Sequence, residues 1–194
     1  MKIIALHGRE ILPKTEQIAR VRIEVFREYP YLYDGSLSYE KNYLQTYADS
    51  PESIALLVMD GEEIAGVSTG LPMEDETDEF KAPFLTGGWS PGHIFYCGES
   101  ILKRKYRGRG LYSLFMRGRE EHARSLKRFS LICFCAVIRP DTHPLRPAGY
   151  RPLDAVWEKF GYQKEDRLTT NFTWKDLNEE RETLKEMVFW IKKL

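Results

Sequence analysis

The chain is poor in cysteine, balanced in charge and without any long apolar run, and each shortage removes a class of protein. Only three of its 194 residues are cysteines, Cys97, Cys133 and Cys135. An odd number without framework spacing argues against a disulfide-stapled secreted scaffold. No Cys or His pair stands at ligand spacing from the "CFC" of residues 133–135, so no metal site is expected. The cysteines read as small buried hydrophobes of a reduced, cytoplasmic protein. No segment approaches the roughly eighteen apolar residues of a membrane span, and "IIAL" after Lys2 is too short for a secretory h-region. Lys plus Arg number 29 and Asp plus Glu 29, so the formal net charge is zero. A dedicated nucleic-acid binder carries a basic excess, so any basic run here has to be judged locally.

What is present fits one ordinary domain. Hydrophobic residues make up 42% and charged residues 30%, a composition that can bury a core. "MKIIALHG" reads as a first strand. "KTEQIARVRIEVFREY" follows as an amphipathic helix, with Ile18, Val21, Val25 and Tyr29 on one stripe. Arg22 falls inside that apolar arc and spoils its regularity. "SYEKNYLQTYADS" reads as a second helix. "ESIALLVMD" and "EEIAGVSTGL" form a hairpin across Asp60-Gly61, a favoured turn pair. "PMEDETDEFKAPFLTGGWSPG" is acidic and loop-like, with at most one helical turn. "HIFYCGESILK" reads as one strand, "GLYSLFMRGREEHARSL" as a helix, and "FSLICFCAVI" as a strand buried on both faces. A short helix around "LDAVWEKF", a strand "RLTTNFTWKDL" and a last apolar run "EMVFWIKKL" complete the chain. The order predicts a mixed α/β sheet with antiparallel hairpins at its front and no linker dividing it.

The chemistry concentrates in "ESILKRKYRGRGLYSLF". Five of the seven residues from Lys103 to Arg109 are basic, and Gly108 and Gly110 alternate with arginines. A strand runs into this loop and a helix leaves it. A helix N-terminus offers unpaired N–H groups and a partial positive charge, and glycines before it let an anion approach the backbone. The spacing of a P-loop is absent, and Ser113 stands where the dinucleotide fingerprint needs its last glycine. Lys103, Arg104 and Lys105 read as a solvated face that steers an anionic ligand.

"YRGRGLYSLFMRG" after an apolar strand resembles the pyrophosphate loop of the GNAT superfamily of acyl-CoA-dependent N-acyltransferases, whose signature is [QR]-x-x-G-x-[GA]. Arg107 takes its first position and Gly110 its fourth, while Tyr112 stands where Gly or Ala is usual. "VWEKFGYQK" is similar to the family's "x-Y-E-K-x-G-F", with Trp157 in place of the Tyr. The resemblance covers the whole chain and implies a single domain, residues 1–194. Its sheet would be mixed and mainly antiparallel, of about seven strands flanked by about four helices.

What it implies for function is direct transfer of an acetyl group from acetyl-CoA, as co-substrate and without a metal, to a primary amine. The cofactor would lie in a V-shaped gap between the strand ending near Leu102 and the one beginning near Ser130. Ser100, Ile101 and Leu102 would pair with the pantetheine amides. Arg107, Gly108, Arg109, Gly110, Leu111 and Tyr112 would hold the pyrophosphate. An amine must lose a proton to react and a departing thiolate benefits from a donor. Glu99, in the strand beneath the acyl group, is the first candidate base and His143 the second. Tyr150 is the candidate donor, because an indole N–H at residue 157 is no useful acid. The proline-rich loop from Arg139 to Pro152 and "EYPYLYDG" between the first two helices would form the acceptor pocket. There Tyr31 and Tyr33 would offer flat contact, and Arg146 or Arg151 would hold an anion. A homodimer is left open; nucleic-acid and membrane partners are not expected. The competing readings are a catalytically silent acyl-CoA-binding domain, kept alive by Trp157, and an RNA binder using "KRKYRGR".

Overall fold

The computed structural model describes all 194 residues. Eight strands and five α-helices follow the chain. They are β1 (Lys2–Leu6), α1 (Thr15–Phe26), α2 (Leu37–Asp49), β2 (Ile54–Asp60), β3 (Glu63–Pro72), α3 (Asp78–Thr86), β4 (Ile94–Tyr96), β5 (Ser100–Leu102), α4 (Leu111–Ser125), β6 (Leu131–Val137), α5 (Asp154–Lys159), β7 (Gln163–Trp174) and β8 (Thr183–Lys193). They build one mixed sheet in the order β1-β2-β3-β4-β6-β8-β7, with β5 pairing β3 as well. Every pairing is antiparallel except β4 with β6.

Two cores lie on opposite faces of this sheet. On one face Ile18 and Val21 of α1, Leu44 and Tyr47 of α2, and Phe80 and Phe84 of α3 pack onto Leu57, Val67, Tyr96 and Phe189. On the other face Leu111, Phe115 and Met116 of α4 pack with Phe95, Cys97, Ile132 and Trp190. The three cysteines are free and buried, as expected.

The expected seven strands and four helices become eight and five for two physical reasons. The acidic segment holds a nine-residue helix, α3, despite Pro83 inside it. Proline lacks the N–H that would bond the Glu79 carbonyl one turn earlier. The Thr170 hydroxyl of β7 donates to that carbonyl at 2.7 Å instead, a partner that no local pattern reveals. The second difference is that "HIFYCGESILK" is two strands.

Its interruption at Cys97, Gly98 and Glu99 positions the site. Ile94 and Tyr96 belong to the core under α1 and α2, and Phe95 and Cys97 to the core under α4. Simple alternation returns Gly98 to the α2 side and sends Glu99 to the other. Yet the Glu99 carboxylate meets Arg22 of α1. Two successive residues thus face the same side, which is the local consequence of a β-bulge and bends the strand.

Candidate acyl-CoA site

The bulge opens the sheet. β4 pairs with β6 through Tyr96 and Cys133, and Cys97 N–H still donates to the Cys133 carbonyl at 2.8 Å. Beyond that point β5 stays with β3, while β6 continues to Val137 paired only with β8. A wedge-shaped gap therefore separates β5 from β6. Thr69 N–H donates to the Glu99 carbonyl at 3.1 Å and Lys103 N–H to that of Ala65 at 2.9 Å, so the odd residues of this strand bond toward β3. Alternation turns the backbone groups of Ser100 and Leu102 into the gap, and those of Ile101 away from it toward Val67. On the opposite lip the same rule exposes the backbone of Cys135 and Val137.

At the open end stands the loop before α4. Gly108 and Gly110 have φ of +74° and +75°, and nothing lies within 4 Å of where a Cβ would project from either. None of the five successive N–H groups from Gly108 to Tyr112 donates to another part of the protein. Successive free amides leading into a helix N-terminus form a concave anion site. No acidic residue occupies the first turn of α4. Arg107 has a different part. Its N–H closes onto the Arg104 carbonyl at 3.2 Å, its Nε donates to the Leu102 carbonyl at 2.9 Å, and its two Nη donate to Glu28, each at 2.9 Å. It braces the loop against β5 and α1, and the free amides begin one residue later.

The basic run is not a bare patch. Lys103 pairs with Glu24 and Glu63, Lys105 with Glu63, and Arg104 with Glu28. Lys105 and Lys103 hold the Glu63 carboxyl down to about 2. The Arg109 guanidinium donates to the Lys105 carbonyl and otherwise faces solvent.

Tyr112 and Trp157, the two departures from the familiar pattern, meet each other. The indole N–H of Trp157 donates to the Tyr112 hydroxyl at 2.8 Å, joining α5 to the first turn of α4. Trp157 also packs edge-on against Phe134 and Trp190.

Beneath the gap's vertex, on the α1–α2 side, lies a buried polar cluster. The Arg22 guanidinium bonds both Glu40 and Glu99 and lies 4.1 Å from the Tyr43 ring centroid. Burial pushes the Glu99 carboxyl up, against the pull of Arg22. Its Oε1 and the nearby Thr69 hydroxyl have no hydrogen-bond partner. Tyr43 and Tyr47 share a 2.8 Å hydrogen bond, and the Tyr47 hydroxyl donates to Glu76 at 3.3 Å. On the α4 side the buried Arg119 donates to the Glu99 carbonyl at 3.1 Å and pairs with no carboxylate.

The other expected residues gather elsewhere. His143 and Tyr150 both lie on the ring of Tyr29, at 5.8 and 4.6 Å between centroids, and neither makes a hydrogen bond or ion pair with Glu99. Arg146 pairs with Asp141 of its own loop and lies over Tyr150, and Arg151 is exposed. Tyr31 is partly buried with its phenol near the Val137 backbone, and burial pushes its pKa up. Tyr33 faces Glu40; burial and that carboxylate push its pKa up. Arg139, which sequence reasoning left unassigned, fixes this wall. It donates to the Pro30 and Tyr31 carbonyls, each at 2.8 Å, and pairs with buried Asp176 at 2.7 Å. Glu40, Glu76 and Arg119 were also missed; only Arg22, a charge on an apolar stripe, hinted at a buried cluster.

No family model matches the sequence, and no curated protein matches it. Solved structures do match. An acetyltransferase of the GNAT family from Streptococcus pneumoniae superposes with a TM-score of 0.57 at 13% identity, covering 100% of both chains. A ribosomal-protein-alanine N-acetyltransferase from Brucella melitensis gives 0.59 at 13% identity, over 98% of this chain and 99% of that one. An aminoglycoside 6'-N-acetyltransferase complexed with coenzyme A gives 0.59 at 14% identity, over 100% and 97%. At such identities the likeness is one of fold: the protein has the fold of the GNAT acetyltransferases.

Proposed function

We propose that residues 1–194 form a single acyl-CoA-dependent N-acetyltransferase domain, moving the acetyl group of acetyl-CoA directly to a primary amine of a small molecule or peptide. The observation that carries this reading is the row of five unpartnered amides at the mouth of a gap whose lips carry backbone groups without strand partners. A pyrophosphate satisfies the first feature and the amides of a pantetheine arm the second. The residues present fit the cofactor, and the coenzyme A complex on the same fold supports the placement.

When bound, acetyl-CoA supplies the activated acetyl group. Gly108 to Tyr112 hold its pyrophosphate, and Arg107 keeps that row of amides in shape. Ser100 and Leu102 orient the pantetheine arm through backbone groups, with Ile101 behind them as apolar support. Carboxylates on the α1–α2 side draw a cationic amine toward the vertex. The Arg119 guanidinium, on the opposite side and without a carboxylate, favours the negative charge that develops on sulfur. Tyr31, Tyr33, Arg146 and Arg151 belong to the acceptor wall in this reading. His143 and Tyr150, held on Tyr29, lie on that same side.

A silent acyl-CoA-binding domain is the second reading, favoured by the indole at residue 157 where a phenol would serve as acid. The two separate by experiment. Purified protein is mixed with acetyl-CoA and a panel of primary amines, and free thiol is followed. Release that depends on one class of amine is expected. Tight cofactor binding with no release across amino acids, polyamines, aminoglycosides and peptide N-termini contradicts the transferase reading.

A further inference from the structure

Glu76 is a carboxylate that the fold buries without giving it a cation. It is 3% exposed and sits just after β3. Its oxygens receive only the Thr77 N–H at 3.2 Å and the Tyr47 hydroxyl at 3.3 Å. Its neighbours in sequence are otherwise engaged, Asp75 by the Ser50 hydroxyl and Glu74 by Arg128. Arg22 of α1 is the one cation facing the cluster from this side of the sheet, and Glu40 and Glu99 already share it. Tyr96 of β4 and Cys133 and Cys135 of β6 also face Glu76, and burial raises all three, Cys135 to about 12, so they stay neutral. Three buried carboxyls thus share this side of the sheet with one guanidinium, which bonds only two of them, and in a low dielectric such a set retains a proton. Glu76 is the member without a cation, and burial pushes it up to about 7.

The chain of hydroxyls leads from Glu76 to the reaction centre. Tyr47 bonds Glu76, Tyr43 bonds Tyr47, and both phenols converge on Gly98. A Cβ there would lie 2.0 Å from the Tyr47 oxygen and 2.8 Å from that of Tyr43. Gly98 is in the bulge where the lips of the gap part. Glu99 is nearer the gap, but its carboxylate is held to Arg22 through Oε2, whereas Glu76 has no cation.

We propose that Glu76 is the carboxylate that takes the amine's proton, relayed through Tyr43 and Tyr47. The inference rests on the acetyltransferase reading. The ammonium first gives up one proton, the one relayed, which frees the nitrogen lone pair. As nitrogen then attacks the thioester carbon, the C–N bond forms and the C–S bond breaks, and the sulfur that leaves with the electron pair takes the second N–H proton as free thiol. The relayed proton passes to the Tyr43 oxygen, the Tyr43 proton to Tyr47, and the Tyr47 proton to the Glu76 carboxylate. Glu76 and Tyr47 act through Tyr43, so they are positioning residues; Tyr43 is the group that meets the amine.

The test is the pH profile of thiol release with its kcat and KM parts separated. In the wild type kcat rises with pH through a midpoint near that of Glu76, because only the carboxylate form accepts a proton. Glu76→Gln removes this limb and lowers kcat by roughly a hundredfold or more, with KM for acetyl-CoA within about twofold. Tyr47→Phe keeps the carboxyl but breaks the relay and gives the same loss. An infrared titration decides the point independently of turnover. The wild type shows a protonated-carboxyl band that disappears through neutral pH, Tyr47→Phe retains it, and Glu76→Gln lacks it. Wild-type kcat with an intact limb in either variant overturns the relay, as does the absence of that band from the wild type. A wild type that binds coenzyme A but never releases thiol sinks the transferase reading instead, while the band still reports whether Glu76 holds the proton.

Discussion

Arg22 occupies a position on α1 that helical periodicity reserves for an apolar side chain, and its two carboxylate partners explain why it is there. Removing one member of a buried ionic set costs more than the set itself contributes, because the others are left charged and unpaired. Arg22→Ala is therefore expected to lower stability by about 3–5 kcal/mol, read from urea unfolding. A loss under about 1 kcal/mol would mean that Glu40 and Glu99 find other partners. The residue scale is also where the sequence was least readable. Glu40 stands in a polar, tyrosine-containing segment and Glu76 in an acidic one, both of the kind that normally face water, and only tertiary packing buries them. Tyr112 and Trp157 looked like two separate irregularities in the pattern. The hydrogen bond between them makes them one, a phenol and an indole that occupy facing positions on α4 and α5.

Among the elements, the broken strand β4–β5 and the loop before α4 carry the site. The loop was legible because its requirements are local: glycines for positive φ and a helix to follow. The break was not, since "IFYCGESIL" is a continuous strand-like run. The bulge is fixed by partners remote in sequence, Arg22 on one side of Glu99 and Arg119 on the other. Helix α3 was hidden for a similar reason, its proline being compensated by a hydroxyl from β7. Gly98→Ala tests the bulge as an element. The added methyl would meet the Tyr47 oxygen at 2.0 Å and the Thr69 and Tyr43 oxygens at 2.8 Å. Such overpacking costs about 1–3 kcal/mol and forces the two phenols apart. A lowered melting temperature together with reduced kcat is the expected result; an alanine variant indistinguishable from wild type would show that the two hydroxyls are not packed against this residue.

At the scale of the whole molecule, charge is distributed across the gap rather than in excess. Four of the five cations in the run that suggested nucleic acid are paired with Glu24, Glu28 and Glu63, and Arg109 alone has no carboxylate partner. The interior also holds unmatched charge: surplus carboxyl on the α1–α2 side of the vertex and a lone guanidinium on the α4 side. That polarity suits a reaction in which a cationic amine enters from one side and a thiolate departs on the other. Net neutrality and the order of elements, α3 and the β4–β5 break excepted, were readable at the outset. The internal asymmetry was not, because it depends on which charges the fold removes from water.

The central claim is that the gap and its row of free amides bind coenzyme A. Calorimetric titration of coenzyme A into the wild type and into Gly110→Val tests it most directly. Gly110 has a φ of +75° and no neighbour within 4 Å, so valine meets no clash but cannot hold the backbone that aims the amides. One site per chain is expected in the wild type. Affinity should fall by at least about tenfold in the variant, which still unfolds cooperatively, as loss of charge-assisted hydrogen bonds to phosphate implies. No binding to the wild type, or equal binding to both proteins, would contradict the account.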